Sequence, residues 1–191
     1  RRFRRRPATG GGGEAVPTLE SHCGSVSYRV ETLAHHDLSG FSCGKPELDD
    51  WLRRHARTTT GQGTRTYVLV DEEGRVVGYF ALAPHLLMRD DAPPRLARGA
   101  PHQIPAILLA KLALDSTMHG SGLGRDLLVH ALATILDAAR RAGGRVVLVD
   151  AIDDEARAFY ERHDFEALPG QPRRLVLKLS TVAKALGAPW P

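Results

Sequence analysis

Residues 111–124, KLALDSTMHGSGLG, run from an apolar, strand-like stretch into a glycine-spaced turn and then into a long helical pattern. Glycines at 120, 122 and 124 remove side chains where a backbone must approach a partner closely or take positive φ, so successive N–H groups can converge on one anionic group. The helix that follows, RDLLVHALATILDAARRA, adds the partial positive charge of its N-terminus at the same place. The layout suits a pyrophosphate. It is not a Walker A loop, because no Gly-Lys-Ser/Thr closes it, and the polar residues before it do not make the short turn of a dinucleotide fingerprint. A tight strand-to-helix turn with no ligand satisfies the same spacing.

The surrounding pattern is that of one soluble domain. A chain of 191 residues with 42% hydrophobic and 25% charged residues buries a sizeable core without staples. No apolar run approaches the roughly 20 residues that cross a bilayer, and the arginine-rich start lacks the apolar segment of a secretory signal. A cytoplasmic location with no membrane contact is expected. Cys23 and Cys43 have no partner cysteine at ligand spacing, so both are read as ordinary thiols and no metal site is expected.

The net charge of +4 is carried by the first six residues, which hold five of the 26 basic side chains and leave 21 against 22 acidic ones. Any anion binding must therefore come from local patches. One is WLRRHARTTTGQGTRTYVLV, residues 51–70, which has no acid and carries Arg53, Arg54, Arg57 and Arg65. A solvated helix face accounts equally for such a run.

Residues 1–25 combine a basic cluster with a glycine run and no hydrophobic period, and are expected to be disordered. SYRVETL alternates as a strand. From Pro46, Leu48, Trp51, Leu52 and His55 fall at helical spacing, with acids leading arginines along the dipole. TRTYVLVDEEGRVVGYFALAP reads as a hairpin, and His85–Gln103, with Pro93, Pro94 and Pro101, as a long surface loop. IPAILLAKLALD and GGRVVLVDAI are nearly continuous apolar strands on either side of the long helix. DDEARAFYERHDF is a short amphipathic helix, and FEALPGQPRRLVLKL gives two closing strands. The domain is expected over 26–182, with a tail over 183–191. The order predicts a mixed α/β (α+β) fold: antiparallel strands first, strand-helix-strand units after, and helices flanking one central sheet.

With that order and the glycine turn in place, residues 27–180 resemble the GCN5-related N-acetyltransferases (GNATs). Their Arg/Gln-x-x-Gly-x-Gly/Ala turn matches His119, Gly120, Ser121, Gly122, Leu123 and Gly124, with a histidine at the position of the usual arginine or glutamine. FSCGKPELDDWLRRHA, TYVLVDEEGRVVGYFALAP, PAILLAKLALD and EARAFYERHDFEAL resemble in particular the GNAT toxins of type II toxin–antitoxin modules. The resemblance implies a mixed sheet with splayed middle strands and acetyl coenzyme A as cosubstrate. It implies acetylation of the α-amino group of aminoacyl-tRNA, a ribbon-helix-helix antitoxin as partner, and a homodimer.

It also assigns residues. Tyr160, in RAFYERHDF, matches the tyrosine that acts as general acid toward the departing thiolate, although packing beside Phe159 explains an aromatic pair equally well. The glycine turn and Arg125 bind the cofactor, and the backbone of Leu112, Ala113 and Leu114 lines its pantetheine and acetyl end. Asp115 closes that strand as a turn-former or a functional acid. Arg53, Arg54 and Arg57, with Arg89, Arg95 and Arg98 in the long loop, are candidate tRNA phosphate contacts. Lys111 is either another such contact or a snorkelling side chain. No side chain stands out as general base, and water suffices for an amine less basic than lysine. Other readings remain: acetylation of a small amine or a protein N-terminus through Glu47, Asp49, Asp50, Asp153 or Asp154, and a non-catalytic role in a DNA-binding repressor complex with the antitoxin.

Overall fold

A computed structural model describes residues 18–20 and 27–190. Eight strands form one sheet in the order β1-β2-β3-β4-β5-β6-β8-β7. They are β1 Thr18–Glu20, β2 Ser27–Thr32, β3 Arg65–Val70, β4 Val76–Met88, β5 Gln103–Leu114, β6 Val146–Asp150, β7 Glu166–Leu168 and β8 Gln171–Lys178. Every pairing is antiparallel except β5 with β6, which the helix α3 (Leu123–Ala142) joins as a crossover. The remaining helices are α1 Pro46–Arg54, α2 Pro94–Ala97, α4 Asp154–Glu161 and α5 Leu179–Ala185. No helix among the described residues is long and apolar enough to cross a membrane.

The helix α3 buries Leu127, Leu128, Ala131, Leu132, Ile135, Leu136 and Ala139, a three-and-four spacing that lays one stripe on the sheet. Beneath it lie Leu69, Val77, Phe80, Leu109, Val147, Val149, Leu175 and Leu177, together with Tyr160 and Phe165 from α4 and the turn after it. The opposite face carries two smaller clusters. Leu52 of α1 packs with Phe41, Val68, Val70, Tyr79 and Ala113. Leu96 of α2 packs with Leu87, Ile104, Ala106, Leu148 and Val176.

Several expectations change. Of the leader, only Thr18–Glu20 is described, as a strand paired with β2; residues 1–17 and 21–26, Cys23 included, lie outside the described residues. The long loop expected over His85–Gln103 is trimmed at its ends: β4 and β5 stay paired up to Met88 opposite Gln103, and residues 89–102 form the connection, with a short 3-10 turn and α2. Pro84 and Pro105 are compatible with this because Arg89 bonds His102, which places both prolines at positions whose absent N–H faces away from the β4–β5 ladder. The helix at Pro46 stops at Arg54, with His55 exposed and Ala56 buried in its place. The tail expected from 183 belongs to the domain: α5 buries Leu179, Val182 and Ala183, and Leu186, Ala188 and Trp190 pack on the main core.

Candidate active site

The site forms where the sheet opens. Parallel pairing of β5 with β6 covers Ala106 to Leu109 and ends there. Pairing of β5 with β4 continues to Leu114. At the point of parting β5 has a bulge: Leu109 lies opposite Leu82 and Lys111 opposite Ala81, so Ala110 is the extra residue. A bulge bends its strand and increases its twist. Residues 110–114 therefore follow β4 while β6 goes with β8, giving the splay expected of the middle strands.

Which backbone groups face the gap follows from alternation. The Asp115 N–H donates to Val77 O, so Ala113 and Lys111 also turn their polar groups to β4, and Leu112 and Leu114 turn theirs away from it. His119 confirms the direction, since its Nε2 lies 3.0 Å from Leu114 O. A carbonyl only accepts, so Nε2 carries a proton and donates it. Ala113 thus offers no free N–H to the gap, and its side chain is buried toward α1.

Asp115 fixes the exit of β5. Its Oδ1 accepts from the Thr117 N–H at 3.0 Å and the Thr117 hydroxyl at 2.6 Å, and its Oδ2 accepts from the Ser42 N–H at 3.0 Å. Burial alone raises its pKa, but these hydrogen bonds and the charge of Arg75 outweigh it and hold the carboxyl below the usual range. It is a turn-former that also fastens the loop before α1 to the end of β5.

Three N–H groups then gather at the turn. Gly120 and Gly122 adopt φ of 76° and 87°, which glycine alone adopts without strain. Nearby donors are occupied: Ser121 N–H by Met118 O, Leu123 N–H by Ser121 Oγ, and Arg125 and Asp126 N–H by Gly122 O. Among the described residues, the N–H groups of Gly120, Gly122 and Gly124 have no such partner, the last because a first-turn helical N–H has no acceptor behind it. Gly124 has no positive φ, and a Cβ there would meet nothing within 4 Å. Nothing inside the chain requires glycine at that position, whereas a ligand on the three N–H groups would. A diphosphate fits this cradle in charge and donor set. Ser121 and Arg125 are exposed beside it, and Leu123 is buried under it.

Tyr160 is on α4, which begins at Asp154, four residues after the end of β6. Asp153 caps this helix by accepting from the Ala156 N–H at 2.8 Å. The Tyr160 ring is 6% exposed and meets Phe159 and Phe165 edge-on, both at 5.4 Å between centroids. Burial pushes its phenol pKa well above the usual value, so the hydroxyl keeps its proton. Among the described residues that hydroxyl has no hydrogen-bond partner. The ring packs as structural aromatics do, and its hydroxyl is left over.

The arginines are used unequally. Arg53 donates to Phe41 O at 2.9 Å, and Arg57 donates to Ala34 O and His36 O at 3.0 and 2.5 Å, so both hold the loop before α1. Arg54 is 72% exposed, with Asp50 at 3.8 Å. Arg89 lies 3.8 Å from Asp90, Arg95 pairs with Glu166, and Arg98 is exposed. Lys111 places its ammonium 5.6 Å from the centre of the Trp51 ring. The acids are mostly engaged as well. Asp49 accepts from Cys43 N–H and the Ser42 hydroxyl, Asp153 pairs with Lys45 at 2.7 Å, and Asp154 with Arg173 at 3.2 Å.

The sequence did not point to a further group, His85, Asp150 and Arg174, which three strands bring together on the α1 and α2 face. They lie on three separate strands, and no spacing along the chain links them.

Residues 62–167 match the acetyltransferase (GNAT) domain family. The chain is 42% identical over 151 residues to the tRNA-acetylating toxin of Mycobacterium tuberculosis (strain ATCC 25618 / H37Rv), covering 79% of this chain and 91% of that protein. It is 31% identical over 180 residues to the probable toxin TacT of Sinorhizobium fredii (strain NBRC 101917 / NGR234), covering 87% and 99%. Among solved structures, a tyrosine-to-phenylalanine mutant of KacT matches with a TM-score of 0.78 and 27% identity, over 83% of this chain and 98% of that one. AtaT complexed with acetyl-methionyl-tRNAfMet matches at 0.76 and 26%, over 83% and 98%. A tyrosine-to-phenylalanine mutant of AtaT bound to the C-terminus of the antitoxin AtaR matches at 0.72 and 25%, over 83% and 97%. With the split sheet, the glycine cradle and the aligned domain in agreement, the chain belongs to the GNAT acetyltransferases and is an acetyl-coenzyme-A-dependent N-acetyltransferase.

Proposed function

We propose that this enzyme transfers an acetyl group to the α-amino group of aminoacyl-tRNA and so blocks translation, as the toxin of a toxin–antitoxin pair. The observation that carries this reading is the 42% identity, over 91% of its length, to a protein named as a tRNA-acetylating toxin. The acidic side chains agree with it: Asp49, Asp153 and Asp154, three of the acids that a cationic small amine would need, are spent on the protein's own donors.

Acetyl coenzyme A supplies a thioester acyl group that is reactive toward a neutral amine. The chain's part is to hold it and to stabilise charge. The N–H groups of Gly120, Gly122 and Gly124 bind the diphosphate, and the backbone of Leu112 and Leu114 aligns the pantetheine arm and polarises the acetyl carbonyl. The Tyr160 hydroxyl donates to the departing sulfur, and its burial keeps the proton available for that step. Two structural relatives were prepared as tyrosine-to-phenylalanine mutants, which is consistent with a tyrosine at the centre of the chemistry. Arg54, with Arg89, Arg98 and Lys111, provides positive charge for the acceptor-stem phosphates. Arg53 and Arg57 shape the loop behind it.

The partner is proposed to be an antitoxin of the ribbon-helix-helix type, acting on a homodimeric enzyme; antitoxin binding is what the AtaT–AtaR complex supports. Induced expression tests the toxin reading. Growth is expected to stop with the natural sequence and to continue with Tyr160→Phe. Arrest that persists with Tyr160→Phe would mean that toxicity does not come from acetyl transfer.

A further inference from the structure

The sheet face that carries α1 and α2 is open between their clusters, and Ala83 and Leu108 are only partly covered there. His85 is two residues from Leu87, Asp150 two from Leu148 and Arg174 two from Val176, and those three apolar residues pack on the α2 side. By the two-residue strand period, all three polar side chains stand on this same face.

Arg174 begins on β8 and ends at β4. Its Nη2 is 2.7 Å from His85 Nε2, and β5 and β6 lie between those two strands. The side chain must therefore cross the sheet over both strands that part at Leu109. Its Nε is 3.4 Å from Asp150 Oδ1; it is buried and has no hydrogen-bond partner among the described residues. The side chain is 29% exposed, so part of it still reaches solvent. Arginine only donates, so His85 Nε2 accepts and the imidazole proton is on Nδ1. Burial, then the charge of Arg174, push the His85 pKa down against a smaller opposing effect of Asp150, which keeps the ring neutral. A shallow surface cavity of about 360 Å³ is lined by Asp150, Ala151, Gln171, Pro172, Arg173 and Arg174.

A fixed guanidinium at this place has chemical consequences. It repels an acceptor that carries a further positive charge and favours the unprotonated form of a nearby amine. Its planar donors match carbonyl and ribose oxygens. We propose that Arg174, braced between Asp150 and His85 above the strand split, binds the ester oxygens next to the attacking amine and so selects aminoacyl esters over cationic amines. This rests on the aminoacyl-tRNA reading above and adds the residue that recognises the acceptor.

The test compares the natural sequence with Arg174→Gln, His85→Leu and His85→Gln. Steady-state kcat and KM are measured with charged total tRNA, acetyl coenzyme A affinity by calorimetry, and melting temperature as a fold control. The expected result for Arg174→Gln is a loss of about 100-fold in kcat/KM for charged tRNA, with acetyl coenzyme A affinity within about twofold of the natural sequence. His85→Leu, which leaves the guanidinium held by Asp150 alone, is expected to lose about tenfold, and His85→Gln, whose amide oxygen accepts from Arg174, to recover most of it. Unchanged kcat/KM for Arg174→Gln, or a parallel loss of acetyl coenzyme A affinity and melting temperature, would overturn the assignment while leaving the enzyme's function in place. A natural sequence that does not acetylate charged tRNA would overturn the functional reading and this inference with it.

Discussion

His119 Nε2 donates to the carbonyl oxygen of Leu114 across 3.0 Å, closing the glycine turn back onto the end of the strand it leaves. The histidine stands where related turns carry arginine or glutamine, and in this chain it acts as a latch on the cradle. His119→Ala removes one hydrogen bond that orders the turn before the ligand arrives. Calorimetry is expected to show acetyl coenzyme A affinity weakened about fivefold, the equivalent of about 1 kcal/mol, with the melting temperature little changed.

Gly124→Ala separates ligand binding from folding. The site has helical φ and no atom within 4 Å of an added Cβ, so alanine is expected to stabilise the helix by about 0.5–1 kcal/mol. The same methyl would stand in the diphosphate cradle. A variant that melts higher than the natural protein yet binds acetyl coenzyme A at least about tenfold more weakly is the expected outcome.

For Tyr160→Phe the ring contacts to Phe159 and Phe165 persist, and the lost hydroxyl has no partner to leave unpaired. Thermal unfolding is expected to be unchanged. Single-turnover acetylation is expected to slow about 100-fold or more, with acetyl coenzyme A affinity preserved.

Arg54 and Arg57 are three residues apart and should respond differently. Arg54→Glu is expected to reduce acetylation of charged tRNA and flatten its salt dependence without altering melting. Arg57→Ala removes both carbonyl contacts to Ala34 and His36 and is expected to cost about 1 kcal/mol of stability in denaturant titration.

His130 makes stability depend on pH. It is buried on α3 with the Phe80 ring 6.2 Å away, and burial lowers its pKa from the ordinary 6.5. Below 6.5 the unfolded chain binds the proton and the folded one resists it, so stability falls as pH drops through that value toward the folded pKa. His85, also shifted down, contributes with the same sign. His130→Met is expected to reduce the slope of unfolding free energy against pH in this range.

Much of this site was legible in the chain because it is local. The glycine cradle and the helix behind it lie on one contiguous segment whose spacing carries their geometry, whereas Tyr160 was named from the family resemblance and not from spacing. Between His85 and Gln103 the three prolines and mixed charges do mark the connection at 89–102, but residues 85–88 and 103 read as part of it although they continue the paired strands, because no alternation sets them apart from the turn. The roles of Arg53 and Arg57 depend on carbonyls 12 to 23 residues away, which composition does not reveal. Arg174 and His85 are 89 residues apart in sequence and meet only because β8 and β4 flank the two strands that part.

Acetyl transfer itself provides the most direct measurement. Purified enzyme is incubated with acetyl coenzyme A labelled in the acetyl group and with charged total tRNA, and the aminoacyl esters are then released and identified. The account predicts label on the α-amino group of one or more amino acids, absent with Tyr160→Phe and absent when the tRNA is uncharged. Label that appears only on free amines or protein, with none on aminoacyl esters, would contradict it.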